Sequence, residues 1–193
     1  MGDATDITSI GRGISEGTLI SFLGRINYTL LDKYLLTVSM RRDGSSVFGA
    51  NNKWGNFPSV AGAWKIGEEE FMKPITWISN LKLRVSYGAV GNQGISRYQT
   101  LNLANSSAYA FGDDGIVLSG YTPGSQMSNP DLKWESTYSS NFGVDFGFLN
   151  QRIYGTVEYY RTKTNDLLVN RNINVISGYS KMWTNLGETK SKG

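Results

Sequence analysis

Residues 134–148 limit this chain more than any other stretch. Trp134, Tyr138, Phe142, Val144, Phe146 and Phe148 stand at even positions, with Glu135, Thr137, Ser139, Asn141, Gly143, Asp145 and Gly147 between them. Side chains on a strand alternate faces, so a strand here is apolar on one side and wet on the other. At about 3.3 Å per residue it spans roughly 45 Å. Strands of soluble domains usually stop at about 5–6 residues, whereas a strand crossing a membrane needs about 9–11. The wet face carries ionised groups, which suits a water-lined lumen better than a packed core. Residues 149–152 turn the chain. Ile153, Gly155, Val157 and Tyr159 then share one face, and Tyr154, Thr156, Glu158 and Tyr160 the other.

The same design recurs along the chain. Residues 1–18 are rich in Gly, Ser and Asp and read as a loop or an incomplete preceding segment; residues 19–193 read as part of a barrel. In residues 19–30, Phe22, Gly24, Ile26, Tyr28 and Leu30 oppose Leu23, Arg25, Asn27 and Thr29. Residues 33–42 set Tyr34, Leu36, Val38 and Met40 against Thr37, Ser39 and Arg41. Strands are also expected over 57–66, 80–88 and from Asn185 onward, with long excursions over 89–133 and 164–184. A hairpin is expected within the first excursion, around residues 112–115. The whole is an all-β, partial antiparallel transmembrane barrel of about six or seven long strands, with short periplasmic turns and long external loops. Tyr28, Tyr34, Trp64, Phe146, Phe148 and Tyr154 then gather near the periplasmic end as an aromatic girdle.

Composition narrows the chemistry. The 193 residues include 23 Gly and only 4 Pro, which fits long twisted strands joined by Gly-rich loops. There is no Cys and no His, so disulfides, a Cys/His zinc site and a Ser-His or Cys-His pair are all excluded. A formal net charge of +3 is too small to argue for nucleic acid. No run approaches the roughly 20 apolar residues of a membrane helix, which leaves strands free to cross. Met1 is not followed by a signal peptide, so the chain is expected to be cut at both ends.

Several segments resemble the SusC/RagA family of TonB-dependent outer-membrane transporters. They are Asp32-Lys33-Tyr34-Leu35-Leu36, Arg41-Arg42-Asp43-Gly44-Ser45-Ser46, Phe57-Pro58-Ser59-Val60-Ala61-Gly62-Ala63-Trp64, Leu81-Lys82-Leu83-Arg84-Val85-Ser86-Tyr87-Gly88, Gly91-Asn92-Gln93, Asn129-Pro130-Asp131-Leu132-Lys133-Trp134-Glu135 and Tyr159-Tyr160. Their order is the family's. The resemblance implies a plugged barrel of about 22 strands in the outer membrane of a Gram-negative cell. It implies a TonB-contacting plug region, without counterpart here, and a SusD-like surface lipoprotein as lid. The cargo would be a glycan, a peptide or another large nutrient, with no cofactor and no catalysis. A competing expectation is a soluble or cell-surface antiparallel β binding domain, which would seal the apolar face under a second layer of the same chain.

Individual side chains carry functional readings beside plainer ones. Arg25, Arg41, Lys82, Arg84, Asp145 and Glu158 are expected to face the lumen, either pairing with one another or with the plug, or meeting cargo. Trp54, Asn92, Gln93, Tyr98 and Trp183 fall in expected external loops, where aromatics and amides suit sugar rings or peptides but also serve packing. Ser79 and Lys82 match an S-x-x-K spacing, yet they open a strand and lack the companion motifs. Glu68, Glu69 and Glu70 read as a solvated turn rather than an acid/base set. Asp113 and Asp114 read as a turn rather than a calcium loop.

Overall fold

The computed structural model describes residues 13–111 and 116–193. The hairpin tip at residues 112–115, with Asp113 and Asp114, lies outside the described residues, as do the first twelve residues of the expected N-terminal loop. Chain order gives β1 (Leu19–Leu30), β2 (Tyr34–Ser45), β3 (Trp54–Lys65), β4 (Ile78–Asn92), β5 (Ala104–Phe111), β6 (Ile116–Pro123), β7 (Gln126–Met127), β8 (Glu135–Phe148), β9 (Ile153–Asn165), β10 (Leu168–Asn172), β11 (Lys181–Asn185) and β12 (Glu188–Lys192). Short 3₁₀ turns at Ile66–Glu68 and Glu70–Met72 join β3 to β4.

A seven-stranded sheet in the order β1-β2-β3-β4-β8-β9-β12 forms the body, and every neighbouring pair in it is antiparallel. Register carries one face through all of it. Tyr28 pairs with Leu36, Val38 with Val60, Val60 with Tyr87, Val85 with Phe142, and Phe142 with Tyr159. The opposite face aligns Arg25 with Ser39, Ser39 with Ser59, Arg84 with Gly143 and Gly143 with Glu158. Because the period of a strand is two, a slip of one residue would invert every side chain; this register therefore sorts apolar from polar across the full width. β1 and β12 are the edges, and the sheet is not closed.

The apolar face is bare. Phe22 is 62% exposed, Ile26 72%, Phe142 47% and Val157 64%. Contiguous apolar surface on this scale marks an interaction with membrane or partner. The competing expectation of a second layer over Phe142, Val144 and Phe146 is not met. Those positions pair only within one sheet, and the buried hydrophobic cluster lies elsewhere.

Turns sit at one end of the sheet and long connections at the other. Leu31 and Asp32 both have positive φ, at 53° and 55°, the mirror-image geometry that matches the twist of a tight hairpin. At the far end, β3–β4 pairing stops at Ser59 and Gly88, although β2–β3 and β4–β8 pairing both run on. The core forms where these strands part. Phe57 from β3 and Ala89 from β4 pack with Phe48, Leu132 and Trp134 from the connections. Gly91 permits this: a Cβ there would collide with the Phe57 ring.

Candidate functional site

The long connections do not wander. They assemble around the segment that leads into β8. Leu132 is fully buried, and Trp134 is buried with its ring tilted against Phe48 at 4.7 Å and edge-on to Phe57 at 5.5 Å. A buried indole N–H needs an acceptor, and Trp134 Nε1 donates to the Lys53 carbonyl at 3.1 Å. On one side the segment grips the β2–β3 connection. Gly49 N donates to the Leu132 carbonyl at 3.0 Å, and Asn51 Nδ2 donates to Asp131 Oδ1 at 2.8 Å. On the other side it grips the β9–β12 connection. Asn129 Nδ2 donates to the Trp183 carbonyl at 2.8 Å, and Asn185 exchanges bonds with Lys133 N and O. Glu135 ties in β4 and β10 by accepting from Asn92 Nδ2 and Leu168 N, each at 3.0 Å.

This loop layer includes a three-stranded sheet, β10-β11-β7, and the β5–β6 hairpin. Beside it lies a recess of about 680 Å³ whose lining includes Glu16, Phe48, Lys53, Arg97, Tyr98 and Pro130. Tyr98 takes a left-handed φ of 64°, and its hydroxyl accepts from Glu16 N at 2.8 Å. Arg97 donates to the Ser15 hydroxyl at 2.8 Å. The Gln93 side-chain carbonyl, Oε1, is buried with no partner among the described residues.

Below the loop layer, the polar face is organised by Arg84. Its Nε and Nη2 hold both oxygens of Asp145 at 2.9 Å, and Nη2 reaches Glu158 Oε1 at 2.6 Å. Thr156 completes the group by donating to Asp145 at 2.9 Å. The planar guanidinium fork suits this two-carboxylate arrangement, and an ammonium would not. Lys82 is in register with Asp145 on the same face. Arg41 donates to Asp43 at 2.8 Å and lies over the Phe57 ring at 5.8 Å, while Arg25 stands opposite Ser39. The structure therefore gathers Arg84, Asp145 and Glu158 and leaves Arg25 and Arg41 apart from them.

Other expected residues fall differently. Trp54 is not in a loop. It opens β3 on the apolar face, stacked on Phe22 at 6.1 Å with Arg42 over its ring at 5.2 Å. Trp183 lies on β11, packed against the buried cluster, with Nε1 donating to Gln99 at 2.8 Å. Tyr154 stands at the turn end but pairs with Gly147, on the same face as Asp145. It therefore leaves the girdle face, which strand alternation assigns to Ile153 instead. Ser79 holds a turn, its hydroxyl accepting from Gln151 N at 3.2 Å.

Glu69 is more than a solvated turn residue. Lys33 Nζ, Tyr34 OH and Trp64 Nε1 donate to it at 3.1, 2.6 and 3.0 Å. Those bonds, with Tyr34 first, hold its carboxyl down to about 2, well below the ordinary carboxylate range. Tyr34 and Trp64 are thus pinned at the turn end, their rings stacked at 6.2 Å. Sequence reasoning missed this because the partners come from different strands. It also missed a second aromatic level at the loop end of the apolar face: Phe22, Trp54 and the stacked pair Tyr87–Tyr138.

An apolar band between two aromatic levels, with a charged polar face behind it, is the layout of an outer-membrane barrel wall. Comparison with known proteins agrees. Residues 5–193 match the family described as TonB dependent receptor-like, beta-barrel. The chain belongs to that family. It is 43% identical over 185 residues to the TonB-dependent receptor SusC of Bacteroides thetaiotaomicron, covering 93% of this chain and 18% of that protein. It is 43% identical over 178 residues to the TonB-dependent receptor P26 of Formosa agariphila, covering 91% of this chain and 17% of that protein. A structure of the RagAB peptide transporter superposes with a TM-score of 0.80 at 34% identity, covering 93% of this chain and 19% of that one. The chain thus spans about a fifth of the length of these relatives. As a TonB-dependent receptor barrel segment of SusC/RagA type, it resides in the outer membrane.

Proposed function

We propose that this segment is part of the wall and rim of an importer for large nutrients. It would contribute seven strands to a barrel of about 22. The Arg84–Asp145–Glu158 group would line the lumen against a plug, and TonB acting on that plug would supply the energy. The loop layer would form the external entrance, closed by a SusD-like lipoprotein. The cargo class is a glycan or a peptide: one relative is named SusC and one structure is titled a peptide transporter. The segment's role is passive, without catalysis.

The observation that carries this reading is the single layer with unlike faces, crowned at its long-connection end by a packed loop layer. A lumen wall needs the first, and a gated entrance needs the second. The test is uptake of labelled glycans and peptides by cells with and without the receptor that contains this segment. Loss of uptake on deletion, restored by the intact gene and not by one carrying Leu132→Asp, supports the reading. Unchanged uptake of every cargo class after deletion contradicts it.

A further inference from the structure

The membrane face is not apolar throughout. Register places Arg161 opposite Ser140 and Lys163 opposite Tyr138, on the same side as Phe142 and Val157. Lys192 pairs with Arg161 and Lys190 with Lys163, so β12 doubles the group. Arg42, opposite Phe22, stands on this face on β2. Toward the turn end, the same face carries Tyr34, Trp64, Leu81, Phe148 and Ile153, and the ionised groups that reach it, Glu69 and Lys33, are paired with each other.

Height decides what these cations meet. Arg161 lies eight residues above Ile153, and Arg42 eight above Tyr34. At about 3.3 Å per residue and a tilt of about 40°, each stands roughly 20 Å above the turn level. The lipid-facing band of such barrels is about 25 Å tall, so both cations sit about 5 Å below its upper border, within snorkelling reach of the headgroups, and Lys163 stands at the border. Hydrocarbon would be costly there for an unpaired charge, whereas a headgroup layer would not. Glu188 neutralises part of the group, through Lys163 and Lys190 at 2.7 Å each. Among the described residues, Arg161 and Lys192 enter no ion pair. A recess of about 390 Å³ beside Arg161 and Lys163 is walled by Tyr87, Tyr138 and Ser140.

We propose that this corner of the outer wall binds the phosphate of an anionic lipid headgroup in the outer leaflet. Arg161 and Lys192 supply the charge, and the Tyr87–Tyr138 stack offers a flat, hydroxyl-bearing side for the headgroup. The proposal rests on the lipid-facing reading of this face but not on any cargo.

The test uses the full receptor purified in detergent and exchanged into bilayers of phosphatidylcholine with lipid A, with dephosphorylated lipid A, or with neither. Native mass spectrometry counts retained lipid. Each basic group at an anionic surface is worth about a fivefold gain in affinity, so Arg161→Ser with Lys192→Ser should weaken lipid A retention roughly twenty-five-fold. Dephosphorylated lipid should not be retained, and free inorganic phosphate at matched concentration should not displace lipid A. Arg25→Ser, on the polar face, should retain lipid as the parent does. Equal retention of phosphorylated and dephosphorylated lipid by the unaltered receptor would overturn the site, and that arm needs no variant to fold. Displacement by free phosphate would also overturn it. Cargo uptake measured in the same preparations separates failure of this site from failure of the importer reading.

Discussion

Gly49 lies so close to Pro130 that a Cβ on it would collide with the Pro130 carbonyl oxygen. The contact joins the β2–β3 connection to the segment entering β8, residues about eighty apart in sequence. Backbone cannot yield as a flexible side chain does. Gly49→Ala should therefore cost about 1–3 kcal/mol, the range for forcing extra volume into a packed site. The cost should fall on the loop layer. Limited proteolysis should show faster cleavage in 46–53 and 93–134 while the strands stay protected.

Leu132 is the side chain most fully enclosed in that layer. Leu132→Ala should destabilise it by about 2–5 kcal/mol, as deletions of buried leucine do. Hydrogen exchange should rise at the Gly49 and Asn185 amides and stay unchanged in the middle of β8. An equal loss of protection throughout β8 would show that the layer and the wall unfold together.

The acid response should report on Glu69. Its folded pKa of about 2 lies below the usual carboxylate value, so its contribution is fully present above about pH 4.5. That contribution falls away as pH drops toward 2, when the carboxylate no longer accepts from Tyr34 and Trp64. The Trp64 indole N–H resonance should shift with a midpoint near 2. In Glu69→Gln the shift should vanish, and a midpoint near 4.5 in the parent would refute the triple anchor.

Arg84 offers a contrast. Its network is partly open to water, with the Glu158 side chain 56% exposed. Pairs in that setting contribute about 0–1 kcal/mol each. Arg84→Met should change thermal stability little, yet leave Asp145 and Glu158 as neighbouring carboxylates on the polar face. Arg84→Lys should keep the charge and lose the two-oxygen grip on Asp145. Double-mutant cycles with Asp145→Asn should show a coupling of about 1 kcal/mol or less.

The sequence was legible where water and hydrocarbon impose opposite demands on alternate residues. β1 was read to its last residue, and Phe142, Val144 and Phe146 lie on the face their alternation assigned. Strand ends were not legible. β4 runs on past Gly88 to Asn92, and β3 begins at Trp54, three residues before the expected start at Phe57. In the β4 extension Ala89 joins the buried loop cluster and Gly91 abuts the Phe57 ring, so packing against the connections replaces the alternation that lipid and water impose. The polar-face trio was recoverable because charge at alternate positions has one sensible direction. Trp54 and Trp183 were not: a tryptophan beside a loop can face lipid, a core or a ligand, and only pairing decides. The loop core escaped for the same reason, since Phe48, Leu132 and Trp134 meet across distances that no local pattern records.

Side-chain environment along β8 tests the account most directly. This segment has no cysteine, so single cysteines can be placed at Asn141, Phe142, Gly143 and Val144 in a receptor freed of any other cysteine and labelled with an environment-sensitive fluorophore. Brominated lipid should quench the labels at 142 and 144, and a water-soluble quencher those at 141 and 143. Quenching that ignores this alternation, or aqueous quenching at 142 and 144, would contradict a wall with lipid on one side and water on the other.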